Sequence, residues 1–160
     1  MDFRITGLPV EPFLPFFAMT DDELLAQGAR RVVATPDMPT NLMPPCRVSL
    51  RDAEPGEASI LLHYPHHVSP ASPYRAGGPI FVREGVRETA SFINHVPAQQ
   101  RTRLLSVRAY DEAGIMLDAE VADGTELEGL IARMFRRADV AFLHAHNARR
   151  GCYSCRIDRA

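Results

Sequence analysis

The residues best equipped for chemistry lie in HAHNARRGCYSC, from His144 to Cys155. Two of the six histidines and two of the three cysteines fall inside this one segment. Imidazole and thiolate are the side chains readiest to bind a metal or attack a substrate near neutral pH. Residues two apart on a strand share a face, so His144 and His146 are expected to point the same way. With NARRG as a hairpin loop centred near Arg149, His146 faces Cys152 and His144 faces Ser154 across the ladder. Two functional chemistries are open to such a patch. His144, His146 and Cys152 could hold zinc and leave a fourth position for water, as catalytic zinc requires. Alternatively Cys152 is a nucleophile, with His146 as its base and Arg149 or Arg150 favouring the thiolate. A site closed by Cys155 is disfavoured, because residues three apart on a strand face opposite ways. Cys155 is expected on the apolar face with Tyr153 and Ile157. Against both chemistries stands plain packing, since His and Cys are common as hydrogen-bonded or packed core residues.

A second candidate is the loop SPYRAGGPIFVR. Tyr74 and Arg75 precede Gly77 and Gly78, which let backbone amides approach a ligand, and an Arg can grip a carboxylate or phosphate through paired hydrogen bonds. The loop runs into a strand rather than a helix, so it lacks the anion site of nucleotide-binding loops. A turn with a surface salt bridge is the plainer alternative. HYPHH places His63, His66 and His67 nearby, but Pro65 interrupts any regular ligand spacing.

The elements that must position these groups follow from patterning. FRITGL opens as a strand. Thr20 is an N-cap for a short acidic-ended helix that stops at Gly28. RRVVA reads as a strand, followed by the Pro-rich loop TPDMPTNLMPP. CRVSL and ASILLHY read as a hairpin or as neighbouring strands, and PIFVRE as another strand. EGVRETASFINHV is assigned a short helix. RLLSVRAYD and IMLDAEVAD flank EAG as a hairpin. Leu127, Leu130, Ile131, Met134 and Phe135 recur at helical spacing and predict one buried stripe. VAFLHAHN and CYSCRID close the chain as the final hairpin. Strands dominate and helices do not alternate with them, which predicts an α+β domain with a largely antiparallel sheet over residues 1–160.

Composition narrows the function classes. A chain of 160 residues with 46% hydrophobic and 24% charged residues is long enough for one real core. The net charge of -2 and scattered basic residues disfavour nucleic acid and anionic membranes as partners. All 18 basic residues are arginine, so lysine Schiff bases and phosphate-loop lysines are excluded. Three cysteines are too few for a disulfide scaffold, and Pro9, Pro12 and Pro15 cut the early apolar run. A cytoplasmic protein with reduced thiols is expected.

Several blocks in order (CRVSL, SPYRAGGPIFVR, RLLSVRAYD, DGTELE and HAHNARRGCYSCRIDRA) resemble the bacterial family of domain of unknown function 1203. The resemblance implies a single-domain bacterial protein, and no activity, cofactor or catalytic residue comes with it. The leading expectation is one polar pocket lined by His144, His146, Cys152, Tyr74 and Arg75 for a small anionic molecule. If it is an enzyme, metal-assisted (zinc) or thiol-dependent hydrolysis or transfer is expected. The competing expectation is a non-catalytic binding or interaction domain, homodimeric, whose His/Cys patch is purely structural.

Overall fold

In the computed structural model, which describes residues 1–160, nine strands and four short helices form an α+β fold. The strands are β1 (Phe3–Thr6), β2 (Arg30–Val33), β3 (Ala58–His67), β4 (Ala76–Arg83), β5 (Ser91–Ile93), β6 (Leu104–Tyr110), β7 (Met116–Asp123), β8 (Phe142–Asn147) and β9 (Tyr153–Arg159). The helices are α1 (Leu14–Phe17), α2 (Asp21–Ala26), α3 (Ala98–Arg101) and α4 (Leu127–Met134). A six-stranded antiparallel sheet runs β5–β1–β9–β8–β6–β7, and a three-stranded one runs β2–β3–β4.

Period-two alternation divides the large sheet into two faces. Leu105, Val107, Ala109, Leu143, Ala145, Cys155 and Ile157 form one face. The α4 stripe of Leu127, Leu130, Ile131, Met134 and Phe135 covers it, so the helical expectation and the core position of Cys155 hold. Burial of these side chains is the main driving force for this layer. The opposite face carries Ser106, Arg108, Tyr110, Phe142, His144 and His146 by the same alternation. The small sheet and the N-terminal helices enclose a second core around Phe13, Leu24, Val48, Ile60, Ile80 and Val82. Helix α2 begins with a reciprocal capping box, Thr20 and Glu23 each accepting from the other's backbone N–H.

Three expectations change. CRVSL is not a strand but a buried loop joining the sheets. Arg47 N–H donates to the Phe81 carbonyl of β4, while the Arg47 carbonyl accepts from Leu8 and the Val48 carbonyl from Ala90. Its backbone groups are satisfied on both sides without a regular ladder, which is what allows a loop to be buried. EGVRETASFINHV is not a helix. It crosses to the edge of the large sheet and contributes β5, because Ser91, Phe92 and Ile93 find open pairing positions on β1. HYPHH is not irregular either, since β3 continues through Pro65 to His67 with a register shift between those two residues. The hairpin around EAG forms as β6–β7. No helix is long and apolar enough to cross a membrane.

Candidate functional site

Two irregularities in strand pairing build a cluster of rings on the large sheet's polar face. The first is the break in register between Pro65 and His67. In a regular strand, consecutive side chains point to opposite faces, whereas a bulge re-aims one of them. As a result both His66 and His67 reach His144, with ring centroids 6.1 and 5.6 Å away. The second lies in β9. Ala145 pairs with Cys155 but His146 pairs with Tyr153, leaving Ser154 as the extra residue. This shift turns Tyr153 away from the Cys155 face. Its ring stacks on His66 at 5.0 Å and stands edge-on to His144 at 5.2 Å.

The register corrects the expected hairpin. His146 faces Tyr153 rather than Cys152, and His144 faces Arg156 rather than Ser154. Tyr153 belongs with the histidines, not with Cys155 and Ile157. The extra residue in β9 is the physical reason, for one unpaired position reverses the facing of everything on its far side. Ser154 itself is buried and its hydroxyl accepts from Gln100 Nε2 at 3.0 Å. Cys152 lies just before β9, half-buried. Its Sγ accepts from Arg47 Nη2 at 3.3 Å and from Asn147 Nδ2 at 3.4 Å. His146 turns its Nδ1 to the Gly151 carbonyl at 3.1 Å, and no hydrogen bond joins it to Cys152. Arg149 and Arg150 are exposed on the loop. No three His, Cys, Asp or Glu side chains are gathered so as to hold a metal ion.

The remaining pair of expected residues separates. The Tyr74 ring lies 6.5 Å from that of Tyr110 and edge-on to it. Arg75 is exposed and makes no side-chain hydrogen bond or ion pair, its only polar contact being its backbone N–H to Ser72. The same loop is instead anchored by Ser72 and His67. Both bond the Gly114 carbonyl in the β6–β7 turn, at 2.7 and 2.9 Å.

Electrostatics keeps three imidazoles of the cluster, those of His66, His144 and His146, neutral. Burial, reinforced by Arg156 and the other histidines, pushes His144 down to about 2. Burial and the nearby Arg108 push His66 down to about 4. His146 also falls to about 4 through burial, although its bond to Gly151 opposes the shift. Burial raises Tyr110 and Tyr153 above the ordinary phenol value, keeping both as neutral hydroxyls. On the opposite face, burial pushes the Cys155 thiol up to about 12, which fits a packed residue.

Three imidazole nitrogens, His66 Nδ1, His144 Nδ1 and His146 Nε2, are buried with no hydrogen-bond partner. Since His146 Nδ1 meets a carbonyl, it must donate there, leaving Nε2 as a free acceptor. Arg108 and Arg156 flank His144 on the neighbouring strands. Arg156 pairs with Asp158 at 2.8 Å and lies over the Phe142 ring at 4.0 Å. Arg108 is half-buried and has no carboxylate within ion-pair distance. Beside the cluster opens a cleft of about 420 Å³ bordered by His66, His67, Ser69, Phe142, His144 and Arg156.

Sequence reasoning named His66 without assigning it to the site, placed Tyr153 on the opposite face, and missed Arg108 and Arg156. A signal for Arg108 was present, because alternation in LLSVRAY places Ser106, Arg108 and Tyr110 together on the polar side of a central strand. His66 and Tyr153 had no local signal, since each depends on a shift in pairing.

No curated protein and no solved structure matches this chain. A family model described as "Protein of unknown function (DUF1203)" matches residues 43–159, well over half of the sequence and including every ring of the cluster. The chain belongs to that family, in agreement with the resemblance of its sequence blocks.

Proposed function

We propose that this protein binds a small anionic molecule against the histidine cluster, with Arg108 as its charge anchor and the adjoining cleft, which Arg108 itself does not border, receiving the rest of the ligand. The observation that carries the proposal is the unpaired, half-buried Arg108 beside buried imidazoles whose ring nitrogens lack partners. A cation without a counter-charge and ring nitrogens without hydrogen-bond partners are both costly away from water. A ligand carrying a carboxylate or phosphate together with a hydroxyl or N–H would answer both needs. The adjoining cleft of about 420 Å³, bordered by His66, His144, Arg156 and the carboxylate of Glu112, has room for the remainder of such a molecule.

Binding is favoured over turnover. A general base works best with a pKa near the working pH, whereas His66, His144 and His146 are pushed to about 4, about 2 and about 4. The zinc and His146–Cys152 nucleophile ideas both need side-chain contacts that do not form in this arrangement. A second reading has one observation in its favour. His144 packs against Phe142, Tyr153 and Tyr110 at 5.1–5.3 Å, ordinary spacings for aromatic packing, so the cluster could be purely structural.

Side-chain nitrogen NMR of the histidines distinguishes these readings. Titration with inorganic phosphate and with small carboxylates should shift the His66 and His144 nitrogens saturably. Arg108→Gln should weaken the effect about tenfold or more, the equivalent of losing one charge-assisted hydrogen bond. No shift at millimolar anion leaves the structural reading. A stoichiometric shift with zinc alone would replace the anion reading by a metal site formed on rearrangement.

A further inference from the structure

Arg47 is 1% exposed, yet it has no carboxylate partner. A guanidinium carries five N–H donors and stays charged in proteins. Here Nε donates to the Tyr153 carbonyl, Nη1 to the Pro45 carbonyl at 2.7 Å and Nη2 to Cys152 Sγ at 3.3 Å. Three acceptors for five donors leave one N–H on each terminal nitrogen unsatisfied, in a group withdrawn from water. The Asn147 amide meets the same sulfur through Nδ2 at 3.4 Å, while its Oδ1 is buried with no partner. Around Cys152 Sγ there is therefore a spare charged donor and a spare acceptor. Cys152 alone among the three cysteines is not fully buried. The arrangement does not depend on the anion-binding cleft, because none of Arg47, Asn147 and Cys152 borders it.

We propose that Cys152 is an oxidation site for hydrogen peroxide or a small alkyl hydroperoxide, and that Arg47 and Asn147 recognise the resulting sulfenic group. The sulfur lone pair attacks the terminal peroxide oxygen. An S–O bond forms as the O–O bond breaks, sulfur loses two electrons, and the departing oxygen leaves as water or alcohol with the thiol proton. The new oxygen, as a sulfenate, accepts the spare Nη2–H of Arg47 and supplies the counter-charge this buried cation lacks. As a sulfenic acid it donates its proton to Asn147 Oδ1. The same donors stabilise negative charge as it develops on the breaking peroxide. Cys46 and Cys155, each 0% exposed, stay reduced in the native state. Sulfenic acid is the reversible first rung of thiol oxidation, so the site can be reset by a thiol.

The test is to expose the native protein to hydrogen peroxide with dimedone as trap, followed by fragmentation of the tryptic peptides spanning residues 32–47 and 151–156, which hold the three cysteines. Dimedone should appear on Cys152 alone, at about ten times the rate seen in the urea-unfolded chain, a factor matching one charge-assisted hydrogen bond. Arg47→Met should return the rate to the unfolded value, and Arg47→Lys, which keeps the charge, should restore part of it. If Arg47→Met does not fold, Asn147→Leu at a half-buried position removes the second donor and should still slow trapping. Native Cys152 reacting no faster than the unfolded chain, or labelling shared with Cys46 or Cys155, overturns the proposal.

Discussion

At the scale of single residues, the histidine cluster ties stability to pH. His66, His144 and His146 have folded-state values below the ordinary 6.5. Above pH 6.5 they are neutral in both folded and unfolded chains, so they contribute no slope. Below it, the unfolded chain takes up protons that the folded chain refuses, and stability falls as pH falls. That loss continues to about pH 4 for His66 and His146 and to about pH 2 for His144. Denaturant titrations between pH 8 and pH 4.5 should therefore lose stability from about pH 6.5 downward, before most carboxylates titrate. His144→Leu should remove up to one proton of linkage, about 1.4 kcal/mol per pH unit. A stability profile flat from pH 7 to pH 5 would mean that water reaches these rings. At the same scale, Arg108→Gln should leave the fold intact, since the guanidinium has no ion-pair partner to lose.

At the scale of elements, α4 and the junction loop make separate predictions. Phe135, 2% exposed, closes the apolar stripe of α4 beneath the Arg159 guanidinium, whose carbon lies 4.6 Å from the ring centre. Phe135→Ala should cost about 3–5 kcal/mol in denaturant unfolding; a cost near zero would mean the helix is peripheral. Gly7 packs against the junction loop so closely that a Cβ would overlap the Val48 carbonyl. Gly7→Ala must therefore push apart β1 and the loop that accepts from Leu8, and its unfolding midpoint should drop sharply. The stripe of α4 and the alternation of β6 and β8 were legible in the sequence because each element has one buried face and a fixed period. The junction loop was not, since CRVSL has strand-like composition and only contacts from β4 and the N-terminal segment bend it. Equally hidden were the two shifts that make the site. Neither Pro65–His67 nor Tyr153–Cys155 holds the glycine that would advertise a bulge. The histidines of β8 were found because HxH states its own geometry, whereas their neighbours come from strands remote in sequence.

At the scale of the whole molecule, strand order places β9 between β1 and β8, at the heart of the large sheet. Removing residues 153–160 would strip each neighbour of one of its two ladders and take Cys155 and Ile157 from the core. Such a truncation should abolish the cooperative unfolding transition; a sharp transition that persists would mean the small sheet and its helices fold alone. Synthesis on the ribosome gives this arrangement a direction in time. β2, β3 and β4 emerge early and are near one another in sequence, so the small sheet can pair while translation continues. β1, the first of the nine strands to be made, can pair with β5 during synthesis, but its other edge stays open until Arg159 has cleared the exit tunnel. Throughout that interval the nascent chain presents an open strand edge and an incomplete core, the kind of surface that chaperones acting on unfinished chains recognise.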